Sequence, residues 1–329
     1  MKNVLVIGGS VFTGRVFSIQ SSKNGGFDLH VVNRGNYPME LEHVTTYKCN
    51  RHSPRMIARL VPDITYDALV DFCAYEPGEI KSVIDALGGR IKQYIFFSTA
   101  SVYVPTQGFI DENTPIVSSP DASALRASSS KVTASSASVS NASVMTFDND
   151  MTDDYVQNKI KLENELIEAC EKAGIKYTIL RPTFIYGPFN YAPRESYFIE
   201  RIARKRPVPV PIDAQSRFNF VYVLDIAAAL MTCIGDKRAY DNVFNLAGAE
   251  TLTYPQLISD FERYNSGPFE TLGVTVAQAE EEQIPLPFPL SDDVLVDGKK
   301  FAEAFEFEYT PFSEGMERTF KVFYSLYTT

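Results

Sequence analysis

The chain has 329 residues and a formal net charge of −10, with 45% hydrophobic and 22% charged residues. That length accommodates one large α/β domain, or a main domain with a smaller companion. The acidic balance repels phosphate backbones, so nucleic acid is not expected as a general partner.

No apolar run approaches the ~18 residues that a bilayer span requires, so no membrane partner is expected. A first strand beginning near residue 3 leaves no room for a signal peptide, and the expected address is the cytoplasm. The four cysteines, Cys49, Cys73, Cys170 and Cys233, are scattered. They read as free thiols in a reducing compartment.

In chain order, "NVLVIGG" reads as a strand, followed by a helix from about Phe12 to Ser22. "LHVVNRG" is a second strand and "TTYKC" a shorter third. "ALVDFCA" and "QYIFFSTAS" are continuous apolar runs of strand length, separated by the helix-like "EPGEIKSVIDALGG". Such runs, alternating with helices, imply a parallel sheet covered on both faces, a doubly wound Rossmann-type α/β fold. Ser118 to Ser143 is mostly serine and alanine without apolar period. A flexible surface insertion is expected over about 118–150, with a substrate lid as the alternative.

"DDYVQNKIKLENELIEACEKAG" reads as a long helix, capped by Asp153 or Asp154 and closed by Gly174. Val156, Ile160, Ile167 and Cys170 mark its packed face. "YTILRPTFIYGP" is a sixth strand entering a loop. Beyond Pro188 the chain is less regular. The expected division is a dinucleotide-binding domain over 1–182, completed by about 217–250. The remainder, 183–216 and 251–329, forms a small substrate lobe. "FNFVYVLDIAAAL" and "NVFNLAG" are the segments expected to return to the main domain.

Three features carry chemistry. In "GGSVFTG", Gly8 can make the tight turn and Gly14 can let the helix approach the sheet, with Gly9 between them. Val11 stands where such loops carry a middle glycine and disfavours φ > 0. Free helix N–H groups from about residue 11 onward, with the Ser10 hydroxyl, would still attract phosphates. Tyr155 and Lys159, four residues apart on a helix, share a face. A nearby ammonium is expected to lower the phenol's pKa, giving a general acid or base for a hydroxyl or carbonyl. The bare Y-x-x-x-K spacing is weak in a chain with 18 tyrosines. Thr99, at the carboxyl edge of the fifth strand, strengthens it by placing a hydroxyl where parallel sheets bind ligands.

With these residues in order along the chain, the sequence resembles the extended short-chain dehydrogenase/reductases, and within them the NAD(P)-dependent epimerase/dehydratase family. The resemblance runs from "VIGGSVFTG" through "FFSTASVY", "YVQNK", "LRPTFIYGP" and "FVYVLDIA" to "NVFNLAG". It implies a catalytic group of Thr99, Tyr155 and Lys159, with the lysine also holding the nicotinamide ribose. It implies an NAD(P) site formed by Gly8, Gly9, Ser10, Val11, Phe12, Gly14, Asn33, Arg34, Cys73, Pro182 and Phe184, together with Tyr155 and Lys159. Tyr186, beside Phe184, either walls the nicotinamide pocket or simply packs. The activity implied is oxidoreduction or epimerisation at a hydroxyl or carbonyl carbon of a small, sugar-like substrate. Family members often pair through the tyrosine-bearing helix, so a homodimer is expected.

Departures narrow this reading. Nucleotide-sugar epimerases of the family carry arginine where Phe218 stands, and Arg217 is one residue out of register. The sugar dehydratases place acids where Ala100 and Ser101 follow Thr99. "VVNRG" has no acid for the two ribose hydroxyls, while Arg34 can meet a 2′-phosphate, which favours NADP over NAD. The pattern "GGSxFTG … NRG … FFSTASVY" is closest to the subgroup with the chloroplast stem-loop-binding proteins. That adds an alternative function, an RNA-binding or regulatory protein on a dehydrogenase scaffold. His30, His43 and His52 lack ligand spacing, so no metal is expected. The basic run Arg201, Arg204, Lys205 and Arg206 reads as a solvated helix end, and Asp225 as a structural acid at a helix start.

Overall fold

Alternation of apolar side chains along each strand decides how the sheet is dressed. The computed structural model describes residues 1–117 and 153–329; the serine-rich insertion expected over 118–150 lies outside them. The main-sheet strands are β1 (Lys2–Ile7), β2 (Phe27–Asn33), β3 (Val44–Lys48), β4 (Ala68–Asp71), β5 (Gln93–Phe97), β7 (Lys176–Pro182) and β11 (Asn242–Leu246). They form one parallel sheet in the order β11-β7-β5-β4-β1-β2-β3. Val4 and Val6 point to one face and Leu5 and Ile7 to the other, all four fully buried.

On the second face lie α2 (Pro54–Leu60), α3 (Glu79–Leu87) and α4 (Asp153–Ala173). The first face carries α1 (Phe12–Asn24) and α6 (Val223–Cys233), which pack against each other. The packed face of α4 is Leu162, Leu166 and Cys170; Ile160 is buried in a separate small cluster, and Val156 and Ile167 are half-buried. Because β1 lies between β2 and β4, the chain reverses its winding there. The crevice above the carboxyl ends of β1 and β4 is where such sheets take ligands.

The remaining strands build small sheets. β8 (Phe184–Tyr186), β10 (Phe218–Tyr222) and β12 (Thr251–Leu252) form one; β9 (Val208–Pro211) pairs with β13 (Thr271–Val274), and β6 (Phe109–Ile110) with β14 (Leu295–Val296). β10 therefore lies outside the seven-stranded sheet while its Phe218 and Phe220 share a core with Val4 and Val6. It pairs in parallel with β8, and β11 pairs with β7 in the main sheet. Aromatic packing decides the matter. Phe218 and Phe220 sit 5.1 and 4.9 Å, centroid to centroid, from Phe288, and Phe184 lies 5.9 Å from the same ring. Each such pair adds roughly 0.5–1.5 kcal/mol beyond its buried area.

Candidate active site

At the end of β1 the chain turns through Gly8 and Gly9, with φ of 113° and 47°. A Cβ on Gly14 would stand 2.8 Å from the backbone N of Gly9, so the start of α1 is pressed against the loop and only glycine fits. Val11 is extended, with φ −130°, and 41% exposed. The position expected to want a middle glycine thus makes no demand for positive φ. Phe12 carries the left-handed turn instead, at φ 39°, with its ring edge-on to Tyr191 at 6.3 Å. The Ser10 N–H donates to the Gly8 carbonyl at 2.6 Å and the Arg15 N–H to the Val11 carbonyl, so the amides that can face an anion are those of residues 11–14. This cradle fits the phosphates of a dinucleotide.

Cys73 forms the opposite wall, its Sγ 3.5 Å from where a Gly8 Cβ would lie. At the end of β2, Asn33 is buried and its Oδ1 accepts the Gly35 N–H at 2.7 Å. Arg34 is exposed beside it and makes no ion pair among the described residues. Pro182 ends β7 and Phe184 is half-buried. Tyr186 is 2% exposed and stacked on Tyr222 at 5.2 Å, so it packs the lobe.

Lys159 is fully buried and donates to the carbonyls of Ala74 and Phe97, both at 3.0 Å, beyond β4 and at the end of β5. Its Nζ lies 5.7 Å from the Tyr155 ring and 5.0 Å from the Tyr75 ring. Burial pulls Lys159 down to about 8, while Asp71, Cys73 and Glu163 pull it back. Tyr155 departs from the sequence reading. Burial first and Tyr191 second push its phenol up to about 12, and the opposing cation is Arg194, not Lys159. Spacing alone could not weigh burial against charge, and burial wins. Thr99 is half-buried and caps the turn Ala100–Val102, its Oγ1 accepting the Ser101 N–H at 3.2 Å.

Below this group, Glu163 lies one turn after Lys159 on α4. It accepts from Ser98 Oγ at 2.5 Å and from Arg181 Nε at 2.9 Å, with a second contact to the same guanidinium. Arg181 also stacks on Tyr103 at 4.8 Å. The pair is buried and fixes α4 against β5 and β7, which sets the register of Tyr155 and Lys159.

The structure adds residues that sequence reading missed. Arg15 lies 5.3 Å from the Phe189 ring and Arg194 lies 5.5 Å from Phe184. Tyr75 stands 6.4 Å from Tyr155. No spacing links these positions; they converge only through the loop of residues 187–194. Phe218 is fully buried, whereas Arg217 pairs with Asp293 away from that core, as the register argument required. Asp225 accepts from the Thr310 N–H and hydroxyl at 2.9 and 2.7 Å, tying α6 to the carboxyl-terminal segment. All four cysteines are free. Among the described residues, no cluster of three or more His, Cys, Asp or Glu could hold a metal, and no helix is long and apolar enough to cross a membrane.

Comparison with known proteins agrees with this geometry. The chain is 24% identical over 270 residues to the chloroplast stem-loop binding protein of 41 kDa b from Arabidopsis thaliana, covering 78% of this chain and 61% of that one. It is 23% identical over 108 residues to a UDP-glucose 4-epimerase from Vibrio cholerae, covering 33% of each. The chain thus spans less than two thirds of both curated relatives. Among solved structures, a UDP-glucose 4-epimerase from Thermotoga maritima superposes with TM-score 0.73 at 19% identity, over 98% of this chain and 99% of that one. UDP-glucuronic acid 4-epimerase from Bacillus cereus, in complex with NAD, gives TM-score 0.73 at 14% identity, over 99% of each. These show a shared fold. Residues 120–247 match the family described as NAD dependent epimerase/dehydratase. The match covers the helix carrying Tyr155 and Lys159 and two strands of the seven-stranded parallel sheet, β7 and β11.

Proposed function

We propose that the protein is an NAD(P)-dependent oxidoreductase or epimerase acting on a hydroxyl or carbonyl carbon of a small, sugar-like molecule. The observation that carries this is the placement of Lys159. Its ammonium is held by two carbonyls at the carboxyl edge of β4 and β5, one helical turn from Tyr155 and above the switch point. Gly8, Gly9, Ser10, Val11, Phe12 and Gly14 hold the pyrophosphate, with Cys73, Pro182 and Phe184 along the remaining cofactor path. When bound, the nicotinamide accepts or returns a hydride at the reacting carbon. Tyr155 moves the proton of the substrate oxygen. A phenol held well above neutral pH keeps its proton in the resting state, and the charge of Arg194 favours its release when the substrate oxygen needs it. The Thr99 hydroxyl donates to Ser101 Oγ at 3.2 Å and accepts the Ser101 N–H, so it orients a substrate hydroxyl through its remaining acceptor site. Lys159 holds the nicotinamide ribose with the ammonium proton not committed to Ala74 or Phe97.

Several solved structures of the same fold contain NAD. For this chain NADP is the better match, since Asn33 is spent on its own turn and Arg34 is free to meet a 2′-phosphate. Arg34→Ala is expected to weaken NADPH about tenfold, the scale of one charge-assisted contact, and NADH far less. Fluorescence titration with both reduced cofactors measures this; equal losses would remove the case for NADP. Hydride transfer itself is tested by screening sugars and simple alcohols for nicotinamide reduction.

A further inference from the structure

The loop after β4 carries three groups of the candidate site. Cys73 walls the glycine turn, the Ala74 carbonyl accepts from Lys159, and the Tyr75 ring stands 5.0 Å from the same ammonium. Lys159 itself comes from α4, so whatever fixes residues 72–79 decides whether these partners meet it.

Both ends of the loop are tied by buried carboxylates. Asp71, the last residue of β4, is fully buried; its Oδ1 accepts the Cys73 N–H at 3.0 Å and its Oδ2 the Tyr94 hydroxyl at 2.6 Å. Glu79, the first residue of α3, uses Oε2 to accept the Tyr75 and Glu76 N–H groups at 2.8 and 3.1 Å. One side chain joins the two acids. Arg51, from the segment between β3 and α2, donates through Nη1 to both Asp71 oxygens at 2.8 and 3.0 Å. Its Nε lies 3.3 Å from Glu79 Oε1, and its Nη2 donates to the Glu79 carbonyl at 3.3 Å. The Arg51 side chain is 8% exposed, so each contact is strengthened by low polarity and a missing one is costly. His52 Nδ1 lies 3.1 Å from the same Glu79 oxygen, but on a largely exposed ring, where such a contact contributes little.

We infer that Arg51 is a positioning residue for Lys159: by joining Asp71 to Glu79 it holds the 72–79 loop against α4, so that the Ala74 carbonyl and the Tyr75 ring meet the ammonium. A planar guanidinium fork serves two carboxylates at once, which the point charge of a lysine does not. The inference rests on the functional reading above only for what Lys159 is held to do; the clamp itself stands on its contacts.

The test reads the ionisation of Lys159. The charged and titratable groups facing that ammonium are Asp71, Cys73, Glu163 and Arg51, with the rings of Tyr75, Phe96 and Tyr155 around it. Tyr155 in turn faces Tyr75, Tyr191 and Arg194, the last just before α5 (Glu195–Ala203). Burial is the largest influence on Lys159 and holds it down to about 8. A slackened loop admits water and raises that value.

In the full chain with isotope-labelled lysine, the Lys159 signal assigned through Lys159→Met, NMR titration should place the Lys159 midpoint of Arg51→Lys about one pH unit above wild type. Glu79→Gln keeps an oxygen for the loop amides and removes the one facing Arg51. Loss of a negative charge alone would lower Lys159, so an upward shift there too marks the loop and not the charge. Urea unfolding checks that each variant is folded; if Arg51→Lys is not, Glu79→Gln decides. Wild-type titration of Lys159 in the folded variants, or a downward shift in Glu79→Gln, would overturn the inference. Absence of nicotinamide-dependent turnover in the wild type would strike the functional reading instead, and the NMR titration still judges Arg51.

Discussion

Tyr155→Phe is expected to lower hydride transfer by about 10²–10⁴-fold, the usual contribution of a positioned general acid or base. NAD(P)H affinity should remain that of the wild type. The ring stays in place beside Tyr75 and Lys159, so the ring packing is preserved and the phenolic hydroxyl is lost. Single-turnover measurement of nicotinamide reduction, with whichever sugar the screen selects, separates chemistry from binding. The pH profile is a second readout. With the phenol near 12 and the ammonium near 8, oxidation of a hydroxyl should quicken with pH only up to about 8, where Lys159 loses its charge long before Tyr155 itself ionises. A variant that keeps near-normal turnover would remove Tyr155 from the chemistry.

The second large effect is on stability. Glu163→Ala leaves the Arg181 guanidinium buried without its carboxylate, and Ser98 without its acceptor. Breaking one side of a buried pair costs about 3–5 kcal/mol, a large fraction of what holds a domain together. Urea unfolding should show an earlier midpoint with unchanged slope. Replacing both partners, as Glu163→Leu with Arg181→Met, should recover much of the loss, because no charge is then stranded. If Glu163→Ala unfolds like the wild type, the pair does not fix α4. The register it gives to Tyr155 and Lys159 would then need another source.

How much of this was legible follows from which forces are local. The strands β1, β2, β4, β5 and β7 announced themselves because a parallel sheet buried on both faces requires unbroken apolar runs. Gly8, Gly9 and Gly14 were readable because backbone geometry demands glycine there, and the structure gives the demand a distance at Gly14. Val11 looked like a defect by analogy; its extended φ shows that the turn shifted to Phe12. Tyr155 and Lys159 were found by helical spacing, but the direction of the phenol's shift was not. That balance depends on burial, which belongs to the tertiary fold. The pairing of β10 was not legible, because Phe184 and Phe288, which pack against it, are distant in sequence. Arg15 and Arg194 had no signature for the same reason: a loop anchored by Glu195 brings them to one cleft.

We propose that the crevice above the carboxyl ends of β1 and β4 takes a nicotinamide dinucleotide that serves Tyr155 and Lys159. The most direct measurement is a fluorescence titration of the full chain with NADH and NADPH, run beside a structured stem-loop RNA at moderate salt. Saturable one-to-one binding of a reduced cofactor is expected, lost in Gly14→Val, with RNA binding weak and screened by salt. Tight, salt-resistant RNA binding with no cofactor binding would contradict it.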